Sequence, residues 1–419
     1  MNKRSFIKSF ALTGLALPEI SKAMATEIVL PKKNQTIPLT EDENYWAGIR
    51  KMYKIKPDYI NLENGYYNLL PEPTLNKYLS IIKEVNYHAS FYMRTRQFAE
   101  RAELNKAIAK FTGSDPEEIV LTRNTTESLD LIISGYPWQK EDEAIFAEQD
   151  YGAMIDMFKQ VSKRYGIRNT ILSIPNHPSS DEEIVSIYEK AITPKTKLIM
   201  ICHMINITGQ ILPVRKICDM AQKYGVEVMV DGAHAIAQLQ FKIPDLNCDY
   251  YGASLHKWLA VPLGVGLLYI KKQHQEKIWP LLGENESVTG INRLNHFGTN
   301  PVHTYLALKF AIEFHDQIGA ANKENRLRFL QQYWTKKVSH LPKIQLNTPT
   351  DDQRSCAIAN VGIKGMKPSE MATTLLNEYK IYTVSIDGAG VHGCRITPNV
   401  FTSLKELDTL VNALKEMAA

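Results

Sequence analysis

The chain has 419 residues, of which 44% are hydrophobic, so it can bury a large core and is longer than a single domain usually is. We therefore expect two lobes. The formal net charge of +4 is small for this length, and no Lys/Arg run forms a dense patch, which gives no reason to expect a nucleic-acid partner. Beyond the N-terminal segment no apolar stretch is long enough to span a bilayer, so we expect no stable membrane anchor.

The first 25 residues have the features of an export signal. A basic start with Lys3 and Arg4 precedes an apolar segment over residues 10–17, and the small residues at 23–25 suit a cleavage site. The start is similar to a twin-arginine signal in which Lys3 stands in place of the first arginine. This predicts export to a bacterial periplasm, and a frayed N-terminal helix on a cytoplasmic protein is the alternative.

Residues 26–58 are polar and contain prolines, which predicts a linker that leads into a short helix over 43–53. Helical periodicity then covers residues 74–92 and 99–112. The β-branched runs that follow lie at 119–121, 144–147, 170–174, 197–203, 226–230, 250–253 and 265–270. Helical stretches separate most of these runs, as a mainly parallel sheet with helices on both faces requires.

From residue 301 onward the pattern changes to that of a smaller lobe. A long helix is predicted over 302–318 and continues after 320, short strands follow, and an amphipathic helix over 404–417 ends the chain. We therefore assign residues 26–73 to an N-terminal linker and arm, 74–300 to a large α/β domain and 301–419 to a small C-terminal domain.

Lys257 follows a β-run and precedes an apolar, glycine-containing stretch over residues 258–266. A lysine held in such surroundings loses hydration, which lowers its pKa and makes the neutral amine available for imine formation. A solvated surface lysine is the alternative. Gly264 and Gly266 start no helix, so we interpret them as backbone packing and not as a dinucleotide fingerprint.

Asp231 lies 26 positions before Lys257, at the end of a wholly apolar strand pattern. A carboxylate at the carboxyl end of such a strand lies in the crevice where open α/β sheets bind ligands. A helix N-cap is the alternative for an aspartate there. Thr125 and Thr126 follow another predicted strand and open a helix, where hydroxyls and backbone N–H groups suit a phosphate or simply cap the helix.

These motifs resemble the class V aminotransferase family of fold-type I pyridoxal phosphate (PLP) enzymes, and within it the isopenicillin N epimerase-like branch. The resemblance extends from about residue 61 to the C-terminus. It implies an α/β fold with a mainly parallel seven-stranded sheet and a smaller α+β C-terminal lobe. It also implies that Lys257 holds the aldehyde of pyridoxal 5'-phosphate as a Schiff base and that Asp231 keeps the pyridine nitrogen protonated.

The resemblance further implies a set of cofactor contacts. His234 would hydrogen-bond the phenolic oxygen, Tyr151 would stack on the pyridine ring, and Asn206 would contact the cofactor beside a turn. His203, close to that turn, is as well explained as a core residue. The phosphate ligands would be Thr125, Thr126, Ser254 and His256, with Thr299 reaching the phosphate of the other subunit in a homodimer.

Two arginines are predicted to bind an amino-acid substrate. By resemblance, Arg395 would grip the α-carboxylate with two parallel hydrogen bonds. Arg94, with Arg96 beside it, would serve a second acidic group, and an ordinary solvated face is the alternative.

Members of the family diverge after the α-proton is lost, so the reaction is less well defined than the cofactor. Proton return to the opposite face gives epimerisation, return to the cofactor carbon gives transamination, and loss of a β-substituent gives a lyase. Cysteine desulfurases carry a cysteine on a mobile loop, whereas residues 388–393 here run directly into Cys394 and Arg395 and leave no room for that loop, so we do not expect a desulfurase. We expect an aminotransferase or epimerase, with a β-lyase or a non-catalytic PLP-binding protein as alternatives.

The five cysteines show no metal-type spacing and no disulfide framework. Buried free thiols are therefore the expected state.

Overall fold

The computed structural model describes residues 29–283 and 287–419. The predicted export signal, residues 1–25, lies outside the described residues, so export stays a prediction. Within these ranges no helix is both long enough and apolar enough to cross a membrane.

Thirteen strands and twelve α-helices make up the described part of the chain. The strands are β1 (Ile60–Asn61), β2 (Ile119–Thr122), β3 (Glu143–Ala147), β4 (Arg168–Leu172), β5 (Thr196–Cys202), β6 (Glu227–Asp231), β7 (Tyr250–Ser254), β8 (Gly266–Ile270), β9 (Ile344–Leu346), β10 (Ala359–Ile363), β11 (Ile381–Tyr382), β12 (Val384–Gly388) and β13 (Val391–Ile396). The helices are α1 (Glu43–Arg50), α2 (Glu72–Thr95), α3 (Gln97–Thr112), α4 (Thr125–Gly135), α5 (Gly152–Tyr165), α6 (Asp181–Ala191), α7 (Val214–Gln222), α8 (Val302–Leu306), α9 (Leu308–Ile318), α10 (Ala320–Val338), α11 (Pro368–Asn377) and α12 (Leu404–Met417).

The large sheet has seven strands in the order β2-β8-β7-β6-β5-β3-β4, and only β8 runs antiparallel to its neighbours. Strand β6 shows why both faces are covered. Val228 and Val230 pack into one hydrophobic cluster, while Met229 between them packs into the cluster on the other face. The predicted fold-type I α/β architecture is confirmed.

The small lobe is built on an antiparallel sheet in the order β12-β13-β10-β9. Its core is a separate cluster in which Trp334 of α10, Leu375 of α11 and Leu410 of α12 are buried against the sheet. The predicted C-terminal helix is confirmed over its full length as α12, which begins with a capping box between Ser403 and Glu406.

The N-terminal segment is more structured than a linker. The predicted short helix is α1, whose N-cap Asp42 accepts from the Tyr45 amide, and both Trp46 and Ile49 are buried in the main core. Strand β1 pairs in parallel with β11, with Ile60 opposite Ile381. Residues just after β1 are therefore joined to the small lobe.

The long helix predicted over 302–318 is interrupted. It consists of α8 and α9, which meet at Ala307, and α10 begins only after Gly319. Gly319 has φ +92°, in the left-handed region that favours glycine, so the chain turns there before the next helix.

Candidate active site

A cavity of about 280 Å³ lies at the carboxyl ends of the parallel strands of the large sheet. Cys202 ends β5, Asp231 ends β6 and Ser254 ends β7, and all three contribute to its wall. Nine predicted site residues line it, namely Thr125, Thr126, Tyr151, Asn206, Asp231, His234, Ser254, His256 and Lys257. A larger cleft of about 700 Å³ beside α3 and α9 contains none of the predicted residues.

Lys257 is buried in the wall of this cavity, with 8% of its surface exposed. Burial lowers the pKa of its amine to about 8, and the nearby Asp231 carboxylate opposes part of that shift while Arg395 adds to it. At pH 7 about a tenth of the amine is therefore unprotonated, far more than for an ordinary lysine. This is the state that the sequence predicted for a nucleophilic lysine.

Trp258 and His234 fix the direction of the proton that faces Lys257. The indole Nε1 of Trp258 donates to Nδ1 of His234 at 3.3 Å, and Nε2 of His234 lies 3.0 Å from the Lys257 amine. Burial lowers the pKa of His234 well below its usual value, so the ring is neutral. An indole nitrogen can only donate, so the single imidazole proton is on Nε2 and points at Lys257, a contact that favours the neutral form of that amine as the acceptor.

Asp231 is held by the turn that follows β6. Its Oδ1 accepts from the Ala233 amide at 2.9 Å. Burial raises the pKa of the Asp231 carboxyl, and the charge of Lys257 works against that rise. Gly232 in this turn is required sterically, because a Cβ there would lie 2.0 Å from the Tyr251 ring. A buried carboxylate with this setting suits a buried cationic ring nitrogen as its partner.

The start of α4 forms a cradle for an anion. Asn124 is the N-cap, accepting from the Glu127 amide at 2.9 Å, so the two threonines that follow are not needed as caps. The Thr125 amide and hydroxyl both contact Oγ of Ser254, at 2.8 and 2.7 Å. Thr126 joins them in lining the cavity, at the positive end of the helix dipole.

His256 contributes a polar atom that needs a ligand. Its Nδ1 is buried and has no hydrogen-bond partner among the residues that the structure describes, and its ring stacks on Tyr67 at 6.2 Å between centroids. Burial lowers the pKa of His256 to about 4, so the ring is neutral. Buried polar atoms are nearly always satisfied, so an orphaned nitrogen in this wall fits a bound group with polar oxygens. The donor set as a whole therefore fits a phosphorylated pyridine aldehyde.

Residues 63–67 take part in the site, although the sequence placed them only in an N-terminal arm. The Tyr66 hydroxyl is hydrogen-bonded to that of Tyr151, and its ring centroid lies 4.9 Å from the Lys257 amine. Burial raises the pKa of Tyr66, so its phenol stays protonated. The sequence feature that could have pointed to this segment is Gly65 followed by two tyrosines. A Cβ at Gly65 would lie 3.0 Å from Thr397, which shows how closely the segment approaches the small lobe.

The remaining predicted residues lie outside the cavity of a single chain. Arg395 is buried beside it, in contact with Glu63. Arg94 on α2 and Thr299 are exposed, so their roles stay predictions. His203 is a core residue whose Nδ1 contacts the Tyr251 hydroxyl at 3.1 Å, in agreement with the simpler of its two interpretations.

All five cysteines are buried free thiols, as predicted. Cys202 lines the cavity, and burial raises the pKa of its thiol well above the ordinary value. Cys394 is fully buried in β13, in the core of the small lobe. These are settings of inert thiols and not of a nucleophile.

Comparison with known proteins gives a consistent result. The aminotransferase class-V family model matches residues 70–402. The chain is 25% identical to isopenicillin N epimerase from Streptomyces clavuligerus over 88% of this chain and 97% of that protein. It is 24% identical to a cysteine desulfurase from Haloferax volcanii, covering 73% and 76% of the two chains. A C-DES variant with glycine linked covalently to its PLP cofactor shares the fold, with a TM-score of 0.80 and 21% identity over 87% of this chain and 98% of that one. The chain therefore belongs to the class V aminotransferase family, and its cofactor is pyridoxal 5'-phosphate.

Proposed function

We propose that this PLP-dependent enzyme transfers a proton at the α-carbon of an amino-acid substrate, as an epimerase or an aminotransferase. One observation carries the proposal. The amine of Lys257, whose pKa is lowered to about 8, the buried carboxylate of Asp231 and the anion cradle of α4 all border the same cavity. Similarity to isopenicillin N epimerase over most of both chains supports this branch of the family.

The described residues would divide the work as follows. Lys257 would hold the aldehyde carbon of the cofactor, Asp231 its ring nitrogen, and the start of α4 with Ser254 its phosphate. When bound, the cofactor supplies an electron sink for the bond to the α-hydrogen. Lys257, with a pKa of about 8, can both accept and release a proton near neutral pH, as a general acid–base group requires.

Desulfurase chemistry of the type that uses a cysteine nucleophile is less well supported by the geometry. It needs an accessible thiolate, and each of the five cysteines is buried. β-Elimination is the second candidate, because it begins with the same removal of the α-proton and the chain is also similar to a cysteine desulfurase.

The proposed enzyme is a homodimer. Exposed aromatic side chains on α2 and α3 support this, since Tyr87, Phe91 and Phe98 are 83%, 62% and 67% exposed in the single chain. Thr299 is exposed and outside its own cavity, as expected of a residue that would reach the other subunit's phosphate. Light scattering after gel filtration should give twice the chain mass, and Phe98→Glu should give the monomer.

We also propose that the protein is exported to a bacterial periplasm. The basic and apolar segments of residues 1–25 are the support. Fusing these residues to a reporter that is active only after folded export tests the route. A reporter that stays in the cytoplasm would contradict it.

Deuterium incorporation tests the proposed reaction. The holoenzyme is incubated in D₂O with a panel of L-amino acids, and the products are examined by mass spectrometry and chiral chromatography. Deuterium at the α-carbon with the D-isomer indicates epimerisation, and deuterium with a keto acid indicates transamination. Pyruvate and a released β-substituent without exchange would favour the lyase, and no reaction with any amino acid would favour a binding protein.

A further inference from the structure

Arg395, the predicted carboxylate-binding arginine, already forms an ion pair with a carboxylate of the chain itself. Its Nη2 donates to Oε1 of Glu63 and its Nε to Oε2 at 3.3 Å, while Nη1 donates to the Asn206 carbonyl at 3.2 Å. The two side chains are 3% and 6% exposed. Three of the five N–H donors of the guanidinium are therefore engaged within the chain.

The backbone around Glu63 is firmly placed. The Glu63 amide donates to Oδ1 of Asn61 at 3.0 Å, and Glu63 forms a β-bridge with Thr397. The Asn64 side chain donates to the Thr397 carbonyl, and the Gly65 amide donates to the Thr397 hydroxyl, both at 3.0 Å. Glu63 is thus built into the junction between the N-terminal segment and the small lobe.

The ion pair borders the cavity. The guanidinium carbon of Arg395 lies 5.4 Å from the ring centroid of Tyr66, and the Lys257 amine lies 4.9 Å from the same centroid. Asn206, which accepts from Arg395, lines the cavity directly. Glu63 is also close enough to favour the protonated form of Lys257.

An incoming α-carboxylate would meet an arginine whose charge is already neutralised. It must either release Glu63 from Arg395, leaving a buried carboxylate without its partner, or place two carboxylates against one guanidinium. Both routes lower the affinity for a free carboxylate. A ligand that carries a neutral group at that position takes neither route and avoids this loss of affinity.

We propose that Glu63 is a specificity-determining residue, an internal competitor for Arg395 that weakens the site's preference for free α-carboxylates relative to neutral groups such as amides. The proposal rests on the proposed function, because it concerns the substrate end of the same site. Under this proposal, the substrate carboxylate and Glu63 compete for Arg395.

A matched pair of probes tests it. The acid 2-aminoisobutyrate has an α-carboxylate and no α-hydrogen, and its amide differs only in lacking the charge. Affinities for the holoenzyme are measured from the visible absorption of the bound cofactor. In Glu63→Gln the acid should bind on the order of tenfold more tightly, because a competing charge has been removed, while affinity for the amide stays unchanged.

The control is Glu406→Gln, which makes the same change in a paired Arg–Glu contact outside the cavity, where Arg50 donates to Glu406 at 2.7 and 2.8 Å. Its affinities for both probes should match those of the natural protein. Thermal unfolding gives a readout without catalysis: the acid should raise the midpoint of Glu63→Gln more than that of the natural protein. If Glu63→Gln does not fold, Glu63→Asp, with the carboxylate withdrawn by one methylene, should show a smaller gain of the same sign.

An unchanged or weaker affinity of Glu63→Gln for the acid, or an equal change for acid and amide, overturns the role of Glu63 and leaves the proposed function standing. A spectrum that responds to neither probe in any of these proteins overturns both.

Discussion

The two sides of the cavity are built in different ways. The cofactor side comes from the ends of neighbouring strands in one sheet, where Asp231 and Lys257 lie in short, recognisable motifs. The proposed substrate side borders the cavity and joins Glu63 to Arg395, residues 332 positions apart in the chain. The first arrangement follows from strand topology, whereas the second depends on a pairing between remote segments. Substitutions on the two sides should accordingly have different consequences.

The largest effect is expected on the cofactor side. Lys257→Ala removes the amine proposed to bind the cofactor and to move the α-proton, so turnover should fall by roughly 10³-fold or more while the circular dichroism spectrum stays that of a folded protein. The measurement is α-deuterium exchange under saturating substrate. Exchange at the natural rate would show that another group performs both tasks.

Asp231→Asn should come next. The amide cannot stabilise a protonated pyridine as a carboxylate does, so exchange should slow by on the order of 100-fold although the cofactor remains bound. Cofactor content from absorption and exchange rates from mass spectrometry separate the two effects. Equal loss of cofactor and of rate would mean that Asp231 acts chiefly in binding.

On the substrate side, Arg395→Ala should destabilise the fold as well as weaken substrate binding. It leaves the buried Glu63 carboxylate unpaired, which should cost about 3–5 kcal/mol of unfolding free energy in urea denaturation. The double variant Glu63→Leu/Arg395→Met should lose less, because neither charge remains. A cost under about 1 kcal/mol for Arg395→Ala would show that the pair is not tightly coupled.

The pH dependence of cofactor capture tests the electrostatics of Lys257. Its pKa is about 8, and the neutral amine is the nucleophile, so the capture rate of cofactor-free protein should rise with pH through a midpoint near 8. An ordinary lysine with a pKa of 10.5 would have about 300-fold less neutral amine at pH 7. A midpoint above 10 in stopped-flow absorption would contradict the burial of Lys257.

The smallest shift is expected from Trp258→Phe. Without the indole donor, the His234 proton is no longer held on Nε2, so Lys257 loses part of the contact that favours its neutral form. The capture midpoint should rise by roughly half a pH unit, in line with the net value of one hydrogen bond. Trp138→Phe is the control, because Trp138 donates to the Ile133 carbonyl away from the cavity. An equal shift in both variants would contradict the proposed effect of the Trp258 indole on Lys257.

The sequence was most informative where function lies in local motifs. The seven strands, the fold class and nine cavity-lining residues could be predicted because each follows from a strand end or a family motif. The partner of Arg395 could not, since the parallel pairing of β1 with β11 has no periodic signature over two residues. The tautomer of His234 was likewise out of reach, because it depends on the orientation of the neighbouring Trp258 ring.

The central claim is that a lysine in this cavity holds the cofactor, and the chain contains its own comparison. Lys323 is also buried, and burial lowers its pKa to about 7, but it donates to the Trp258 carbonyl and does not line the cavity. The purified protein with added PLP should show a visible band, and borohydride reduction followed by peptide mapping should find the cofactor on Lys257 and not on Lys323. A cofactor attached to Lys323, or a protein that stays colourless with PLP, would contradict the account.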